Sequence, residues 1–446
     1  MSALHILTHR ICGRIAAVAV IAAMPVLGAT CSNLTNVDAP DIVQPQVLAN
    51  QAGAVAYYGA VVRDFSAGFG GNITLLSGVL TDELIAGGQT SFNADVVADS
   101  RRVADGSSFT YAYSMLQSLR VSAEKAITAL EQFDSAERWR IGQMFSVRAF
   151  TELTFAEQFC SGVPLGNYTN GQLVYGAQIT TVQMYQLAQS HFDSALAYST
   201  DSIRIASLAR LGRGRTLLGL GRFTDAATAV AGVPTPFRYD LELSAAVPGQ
   251  NNLIYNNMFF GRTYGVADRE GGNGLNFRTA NDPRVTTSFI AKAADGFTDL
   301  YLYTRYNSLS APFTLASGIE ARLIEAEAAL QSNHNDTSAT GAGWLGILNT
   351  LRATAIGPGM PPLADPGNYD ARVNLLFRER AFWMYLTNHR LGDLRRLIRQ
   401  YGRAQETVFP TGIYKDAAPY GTDVNFGIVN LEYNNPAFKG CLDRAA

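Results

Sequence analysis

Apolar residues recur at steps of three and four along most of this chain. The clearest stripes run over Tyr113–Leu130, Ile141–Leu153, Val182–Ala195, Ile319–Leu330 and Leu345–Leu351. This spacing gives each segment one apolar face when it is helical. With a first helix expected over Gln46–Phe65, the pattern predicts a mainly α-helical protein.

Small residues indicate that some of these helices pack in close pairs. Ala209–Val233 places Ala209, Gly212 and Gly219 ahead of a turn at Gly221, which resembles a tetratricopeptide repeat. The segments Gly318–Gln331 and Gly343–Ala355 look like a second pair. No strict repeat period runs through the chain, so we predict about four degenerate helical pairs rather than a solenoid.

The helical period is lost in three stretches, at about 66–110, at 234–316 and in a tail over 402–446. The second of these is rich in glycine, asparagine and aromatic residues. Long segments without regular structure are uncommon in compact domains unless they have a function. We therefore predict a loop-rich second lobe, built from long inserts on the helical scaffold.

The N-terminus has the layout of an export signal. Arg10 and Arg14 precede the apolar run Ile15–Leu27, and small residues follow up to Thr30. The apolar run is too short to remain as a membrane-spanning helix. Residues 1–30 are therefore predicted to be a signal peptide.

Cys31 stands where a lipoprotein would carry its lipid. Thr30 precedes it, where a lipobox prefers glycine or alanine, so ordinary cleavage into the periplasm is the alternative. Residues 31–45 are polar and contain two prolines, which suits a lipid-anchored tether. Residues 46–446 are then expected to form a single domain.

Two cysteines remain in the expected mature protein, because Cys12 leaves with the signal and Cys31 is assigned to the lipid. In an oxidising compartment Cys160 and Cys441 most simply form a disulfide. Two separately buried thiols are the alternative.

Charge and motif content argue against several classes of protein. The formal net charge is -2, and removing the two arginines of residues 1–30 makes it about -4, which gives no electrostatic case for nucleic acid. The histidines His191, His334 and His389 lack metal-ligand spacing and are expected at the surface or at helix caps. No HExxH or GxSxG motif is present. We predict no metal, no cofactor and no catalysis, although a carboxylate pair that meets only in space stays open.

The aromatic residues of the inserts favour ligand binding. Sugars and other polar nutrients are held on flat aromatic faces with a few hydrogen-bonding groups around them. The candidate ligand-binding residues are Phe92, Asn93, Tyr255, Tyr264 and Tyr301. The alternative for each aromatic residue is a place in the core of its own lobe.

An ordered set of motifs resembles the SusD/RagB family. They are Arg148–Phe150 with Phe159–Leu165, Glu320–Arg322 with Glu325–Ala328, Leu348–Ala353, Glu379–Arg380 with His389–Arg390 and Asp393–Arg396, and Phe409–Pro410 with Asn434–Pro436. Trp383 stands where the family usually has glutamate, and Thr387–Asn388 replaces its Glu-Gly. The missing acids put local salt bridging in question.

The resemblance implies a tetratricopeptide-like SusD fold and a lipid anchor in the outer membrane, with the protein exposed at the cell surface. It also implies that the protein captures an oligosaccharide or a peptide and passes it to a TonB-dependent, SusC-like transporter, without a cofactor and without turnover. The main alternative is a tetratricopeptide-type scaffold for protein interactions in the envelope. A secreted hydrolase has the least support from the sequence.

Overall fold

The computed structural model describes residues 49–88, 94–103, 109–169, 172–357 and 359–446. Within them, Asn50–Ala446 forms one compact unit. The predicted signal peptide, the tether and Cys31 lie outside the described residues, as do Phe92 and Asn93.

Helices make up most of the regular structure, so the mainly α prediction is confirmed. They are α1 Gln51–Phe69, α2 Asn72–Val79, α3 Ala94–Asp99, α4 Thr110–Phe133, α5 Arg138–Gln158, α6 Thr181–Tyr198, α7 Ile203–Gly219, α8 Phe223–Val230, α9 Leu253–Tyr255, α10 Gly318–Ser332, α11 Trp344–Leu351, α12 Tyr369–Trp383, α13 Arg390–Arg399 and α14 Gln405–Val408. None of the described helices is both long enough and apolar enough to cross a membrane.

Several helices begin where a polar side chain caps them. Asn50 accepts a hydrogen bond from the Gly53 amide, so α1 begins at Gln51; the predicted start at Gln46 lies outside the described residues. Thr180 and Gln183 form a capping box at the start of α6. These side chains satisfy backbone N–H groups that have no partner inside the helix.

The predicted close packing of the Ala209–Val233 region is confirmed. Consecutive helices α4 to α8 pack against one another. A methyl group on Gly212 would overlap the ring of Phe192, and one on Gly219 would overlap the ring of Tyr185. Gly212 and Gly219, which were expected at the contact of α7 with α8, therefore let α6 approach α7. The predicted pair of α7 and α8 packs through Gly214, where a methyl group would overlap Val230.

The stretches expected to be irregular contain more regular structure than predicted. In the described residues the strands form two-stranded antiparallel pairs. The pairs in the inserts are β1 Leu84–Ala86 with β7 Tyr264–Val266, β6 Arg238–Leu241 with β10 Phe313–Ser317, and β8 Thr287–Lys292 with β9 Asp299–Tyr303. The pairs between α5 and α6 are β2 Val163–Pro164 with β5 Gln178–Ile179 and β3 Asn167–Thr169 with β4 Gln172–Val174.

The predicted boundaries of the first insert, 66–110, also need correction, because this stretch contains regular structure. Helix α1 continues to Phe69, and α2, β1 and α3 follow within 66–110. Strand β1 pairs with β7, about 180 residues away in the chain (Leu84 opposite Val266). The two inserts therefore join to each other, as parts of one lobe that pairs its own strands.

A buried ionic network ties this lobe to the helices. Glu379 on α12 accepts hydrogen bonds from Arg284 at 2.7 Å and from Arg352 at 2.6 Å. Nearby, Asp393 on α13 accepts from Arg380 at 2.9 Å and from Arg396 at 2.7 Å. The salt bridging that the departures from the family pattern put in question is therefore present.

The departures themselves have local explanations. The Arg284 guanidinium pairs with Asp282 and Glu379 and also lies over the Trp383 ring at 4.9 Å, so Trp383 contacts this arginine through its aromatic face. Asn388 adopts φ 68°, a left-handed conformation that asparagine tolerates better than most residues. An asparagine can thus occupy a position where the family has glycine.

The predicted disulfide is confirmed, since Cys160 and Cys441 are bonded across a sequence separation of 281 residues. The histidines hold structural positions. His191 pairs with Glu152 at 2.6 Å, and His334 stacks on Tyr369 at 4.0 Å between ring centroids. His389 occupies the N-cap position of α13, as expected, but its side chain is buried and does not cap the helix. Its Nε2 lies 2.9 Å from a Glu320 carboxylate oxygen.

Candidate functional site

An exposed group of aromatic rings begins at the helical turn α9 and the π-helical turn that follows it, Asn256–Phe260. Asn252 caps this segment by accepting from the Tyr255 amide at 2.9 Å, and its own amide group donates to the Ala311 carbonyl at 2.8 Å. Ile254 and Met258 are buried one turn apart. Their burial fixes the inner face of the segment and leaves the neighbouring aromatic side chains on the outer face.

The outer face carries three rings in contact. Tyr255 stacks on Phe259 with 5.2 Å between centroids and 9° between planes. Phe260 meets both rings edge-on, at 5.8 Å from Tyr255 and 5.1 Å from Phe259. Phe260 is 60% exposed and Phe259 is 41% exposed. The rings hold one another in place, so they form a preorganised apolar surface open to solvent.

The hairpin β8–β9 adds a second pair of rings. Phe289 lies opposite Tyr301 in the strand register, and the two rings are 5.6 Å apart. Phe289 is 56% exposed. The Arg278 guanidinium lies 4.3 Å from the centroid of the Tyr301 ring. The Arg278 side chain therefore covers part of the Tyr301 ring, while the Phe289 ring remains exposed to solvent.

A shallow cavity of about 370 Å³ joins these two groups. It is lined by Phe259, Phe260, Arg262, Ser288, Phe289, Ile290 and Leu302. Arg262 is exposed and supplies a guanidinium at the edge of the rings, and Ser288 supplies a hydroxyl. Aromatic faces with a few polar groups beside them are the ordinary composition of a carbohydrate-binding surface. We call Tyr255, Phe259, Phe260, Phe289, Tyr301 and Arg262 the aromatic patch.

Tyr264 does not belong to this patch, which corrects its selection from the sequence. The residue lies in β7 and is only 6% exposed. Its hydroxyl donates to Asp95 at 2.5 Å, and burial raises the pKa of the Tyr264 phenol. Burial also raises the pKa of the Asp95 carboxyl, although the Tyr264 hydrogen bond opposes this shift. Tyr264 is a core residue because strand pairing turns it inward.

The structure brings Tyr255 and Tyr301 to the same side of the second lobe, as neighbours of the shallow cavity. Phe92 and Asn93 lie outside the described residues, so their selection stays a prediction. The chain just before them is close to the patch, since the Gly87 amide donates to the Thr263 carbonyl at 2.8 Å. A Cβ atom at Gly87 would lie 2.9 Å from the Ala293 Cβ and 3.0 Å from the Arg262 carbonyl oxygen, so a side chain there would need its neighbours to shift.

Selection from the sequence missed Phe260 and Phe289, the two most exposed rings of the aromatic patch. A signal for Phe260 is present in the sequence, because Ile254 and Met258 are spaced like buried anchors and the aromatic residues stand between and after them. No comparable signal marks Phe289. Strand β8 alternates poorly between buried and exposed positions, since both of its faces are largely open.

We also searched the described residues for a metal-binding group of side chains. They contain no group of three or more histidine, cysteine, aspartate or glutamate side chains that would hold a metal ion.

Comparisons with known proteins identify the fold. No protein-family model matches the chain, and no curated protein matches it. A SusD superfamily protein from Bacteroides vulgatus superposes with a TM-score of 0.66 at 14% identity, covering 88% of this chain and 99% of the other. Surface glycan-binding protein A from Bacteroides uniformis gives 0.64 at 14% identity, with 87% and 99% covered. A laminarin-binding SusD-like protein gives 0.58 at 14% identity, with 88% and 99% covered.

These similarities extend over nearly the whole of each solved structure. The chain therefore has the SusD-like fold, and the resemblance drawn from the sequence motifs is confirmed at the level of the fold. The identities are too low for ligands or partners to be transferred from the neighbours.

Proposed function

We propose that this protein is a SusD-like glycan-binding lipoprotein of the outer membrane, which captures an oligosaccharide at the cell surface and passes it to a TonB-dependent transporter. The aromatic patch carries the proposal. Phe259, Phe260 and Phe289 are exposed and contact neighbouring rings, and the polar groups of Arg262 and Ser288 stand beside them. An exposed apolar patch with polar groups at its edge is typical of a surface that another molecule covers.

Sugar rings suit such a surface because their C–H faces stack on aromatic rings while their hydroxyls reach polar groups at the edge. Two neighbours with the same fold are described as a surface glycan-binding protein and as a laminarin-binding protein. Their descriptions support an oligosaccharide over a peptide as the ligand.

The anchor and the transporter are parts of the same proposal. Cys31 follows the apolar run of the export signal, and an acyl group there would hold the protein on a membrane. A binding protein at that position delivers its ligand only if an importer takes it up, which is the role we assign to the TonB-dependent barrel.

A binding experiment tests the central claim. The purified protein is screened on a glycan array, and the best glycan is titrated against Phe260→Ala, Phe289→Ala and the wild type. We expect each substitution to weaken binding by about 1–3 kcal/mol, the scale of an aromatic contact with its buried area. Tyr111→Ala is the matched control, because Tyr111 is 62% exposed and lies on α4, outside the patch.

The outcomes separate the two candidate classes. Loss of glycan affinity in the patch variants alone supports the proposed site. If no glycan binds, or if both patch variants bind as tightly as the wild type, the proposal is wrong and the envelope scaffold becomes the better account.

The anchor has its own experiment. Labelled palmitate is expected to enter the wild-type protein and not Cys31→Ala, which should leave the membrane fraction. Equal labelling of the two proteins would contradict acylation at this cysteine.

A further inference from the structure

A second and larger cavity lies elsewhere on the protein. It measures about 690 Å³ and is bordered by strands β6 and β10, by helices α10 and α11, and by the end of α12. This volume is within the range of small-molecule sites. It shares no lining residue with the shallow cavity of the aromatic patch.

Two arginines converge on one hydroxyl group at the β6–β10 side of this cavity. The Thr314 Oγ1 accepts hydrogen bonds from Arg238 at 2.9 Å and from Arg305 at 2.7 Å. Thr314 donates in turn to Asp240 at 2.5 Å. The two guanidinium groups are thus held within hydrogen-bond distance of the same oxygen atom.

The local charges leave one arginine, Arg305, without a direct ion pair, although the Asp240 carboxylate still attracts it at longer range. Asp240 takes two hydrogen bonds from Arg238, both at 3.1 Å. Across the cavity, Arg322 pairs with Glu325 at 2.7 Å. Among the described residues, no carboxylate oxygen lies within 4.0 Å of a nitrogen of Arg305. The cavity lining with Asp240 therefore carries one positive charge in excess.

The rest of the lining is mostly apolar with scattered hydroxyls. Phe237, Ile319, Leu351, Trp383 and Met384 supply apolar surface. Trp383 is the last residue of α12. Its ring is half-buried, and the Arg284 guanidinium lies over it. A molecule that fills this space needs an apolar body and one anionic end.

We propose that this cavity binds an organic carboxylate, with its anionic group at Arg305 and Arg238 and its apolar body against Trp383 and Ile319. The preformed pair of guanidinium groups supplies charge-assisted hydrogen bonds at little cost in side-chain ordering. The site is independent of glycan capture by the aromatic patch.

Two probes that differ in charge test the proposal. The purified protein is titrated calorimetrically with 2-naphthoate and with its uncharged counterpart 2-naphthamide. We expect the carboxylate to bind about tenfold more tightly than the amide, as a charge-assisted contact predicts. Arg305→Gln is expected to remove this preference. Arg63→Gln is the matched control, since Arg63 is an exposed arginine on α1 that does not line the cavity.

A variant that fills the cavity tests the location of the site without changing its charge. Ala355 lines the cavity and is exposed, so Ala355→Trp should fill the space without disturbing the core, and both probes should lose affinity. Phe289→Ala should leave naphthoate binding unchanged, because Phe289 lies in the other cavity. Equal binding of the two probes, or full naphthoate binding by both Arg305→Gln and Ala355→Trp, would overturn the proposal.

Discussion

Glu83 is a carboxyl group in the protein core with only half of its hydrogen-bonding capacity used. The Leu386 amide donates to its Oε1 at 2.8 Å, while its Oε2 has no partner among the described residues. Burial raises the pKa of Glu83 to about 8, and Asp82 and Asp393 act in the same direction. The Leu386 amide and the Arg390 guanidinium oppose the shift but do not cancel it.

This shift makes stability depend on pH. In the unfolded chain the carboxyl titrates near the ordinary glutamate pKa of 4.5, so above that pH the folded protein keeps a proton that the unfolded chain releases. The free energy of unfolding therefore falls as pH rises between these two pKa values, by about 1.4 kcal/mol for each unit. The loss is complete above the folded pKa, and it is absent below the unfolded one.

Glu83→Gln is expected to remove this dependence. The amide keeps an acceptor for the Leu386 N–H and carries no charge at any pH. Urea unfolding of both proteins between about pH 5 and about pH 8 should show the variant gaining on the wild type as pH rises. A difference in stability that stays constant over this range would show that Glu83 does not titrate in it.

At the scale of elements, the glycines of α7 set how closely two helices approach. Phe192 is fully buried, and its ring occupies the space where a side chain at Gly212 would lie. Gly59 on α1 is exposed and has open space around it. The same substitution therefore has opposite consequences at the two sites.

We expect Gly212→Ala to lower the free energy of unfolding by about 1–3 kcal/mol, because the methyl group overpacks the helix contact. We expect Gly59→Ala to raise it by about 0.5–1 kcal/mol, because alanine loses less conformational entropy in a helix. Chemical denaturation of both variants checks the pair. Similar effects of the two substitutions would contradict the packing account.

The C-terminal tail is a second element with a clear attachment. The Cys160 amide donates to the Phe426 carbonyl at 2.8 Å, and Ser161 exchanges backbone hydrogen bonds with Leu442 and Asp443. The ring of Phe426 also packs on Phe159, with 5.8 Å between centroids. The disulfide thus adds a covalent link to contacts that the tail already makes.

Cys441→Ser is expected to lower the free energy of unfolding by about 2–5 kcal/mol, since the bond restrains a very long loop of the unfolded chain. Hydrogen exchange should become faster first in residues 424–446, while the amides of α5 stay protected. Unchanged exchange in the tail would mean that Phe426 and the backbone contacts hold it without the bond.

At the scale of the whole molecule, Glu379 joins the second lobe to the helical scaffold. It receives Arg284 from the segment before β8 and Arg352 from the end of α11, and its side chain is fully buried. A charged side chain in this position is stabilising only while its partners are present.

Glu379→Gln is expected to cost about 3 kcal/mol, because two buried arginines then face a neutral amide. The aromatic patch and the helices should still unfold together, with one transition at a lower denaturant concentration. Asp64→Asn is the control, since the Arg63–Asp64 pair is more than half exposed and exposed pairs contribute about 0–1 kcal/mol. Equal losses in the two variants would contradict a special role for Glu379.

Differences in burial explain why Tyr264 was selected wrongly and why Phe289 was not selected. Tyr255, Tyr264 and Tyr301 belong to the same aromatic-rich insert and look alike in the sequence. Only the pairing of β7 with β1 turns Tyr264 into the core, and only the open hairpin β8–β9 leaves Phe289 in solvent. These facts depend on partners that lie far away in the chain, so no local pattern contains them.

The sequence by itself determined most of the helices, the close pair of α7 and α8, and the pairing of Cys160 with Cys441. Helical hydrogen bonds join residues four positions apart, so a repeating apolar stripe is enough to place them. Only two cysteines remained to form a bond after Cys12 and Cys31 were assigned elsewhere. The tertiary structure decided which aromatic rings face solvent, and it brought Arg238 and Arg305 to one threonine. Strand pairing, burial and the balance of charges join residues distant along the chain, and they exist only once the chain has folded.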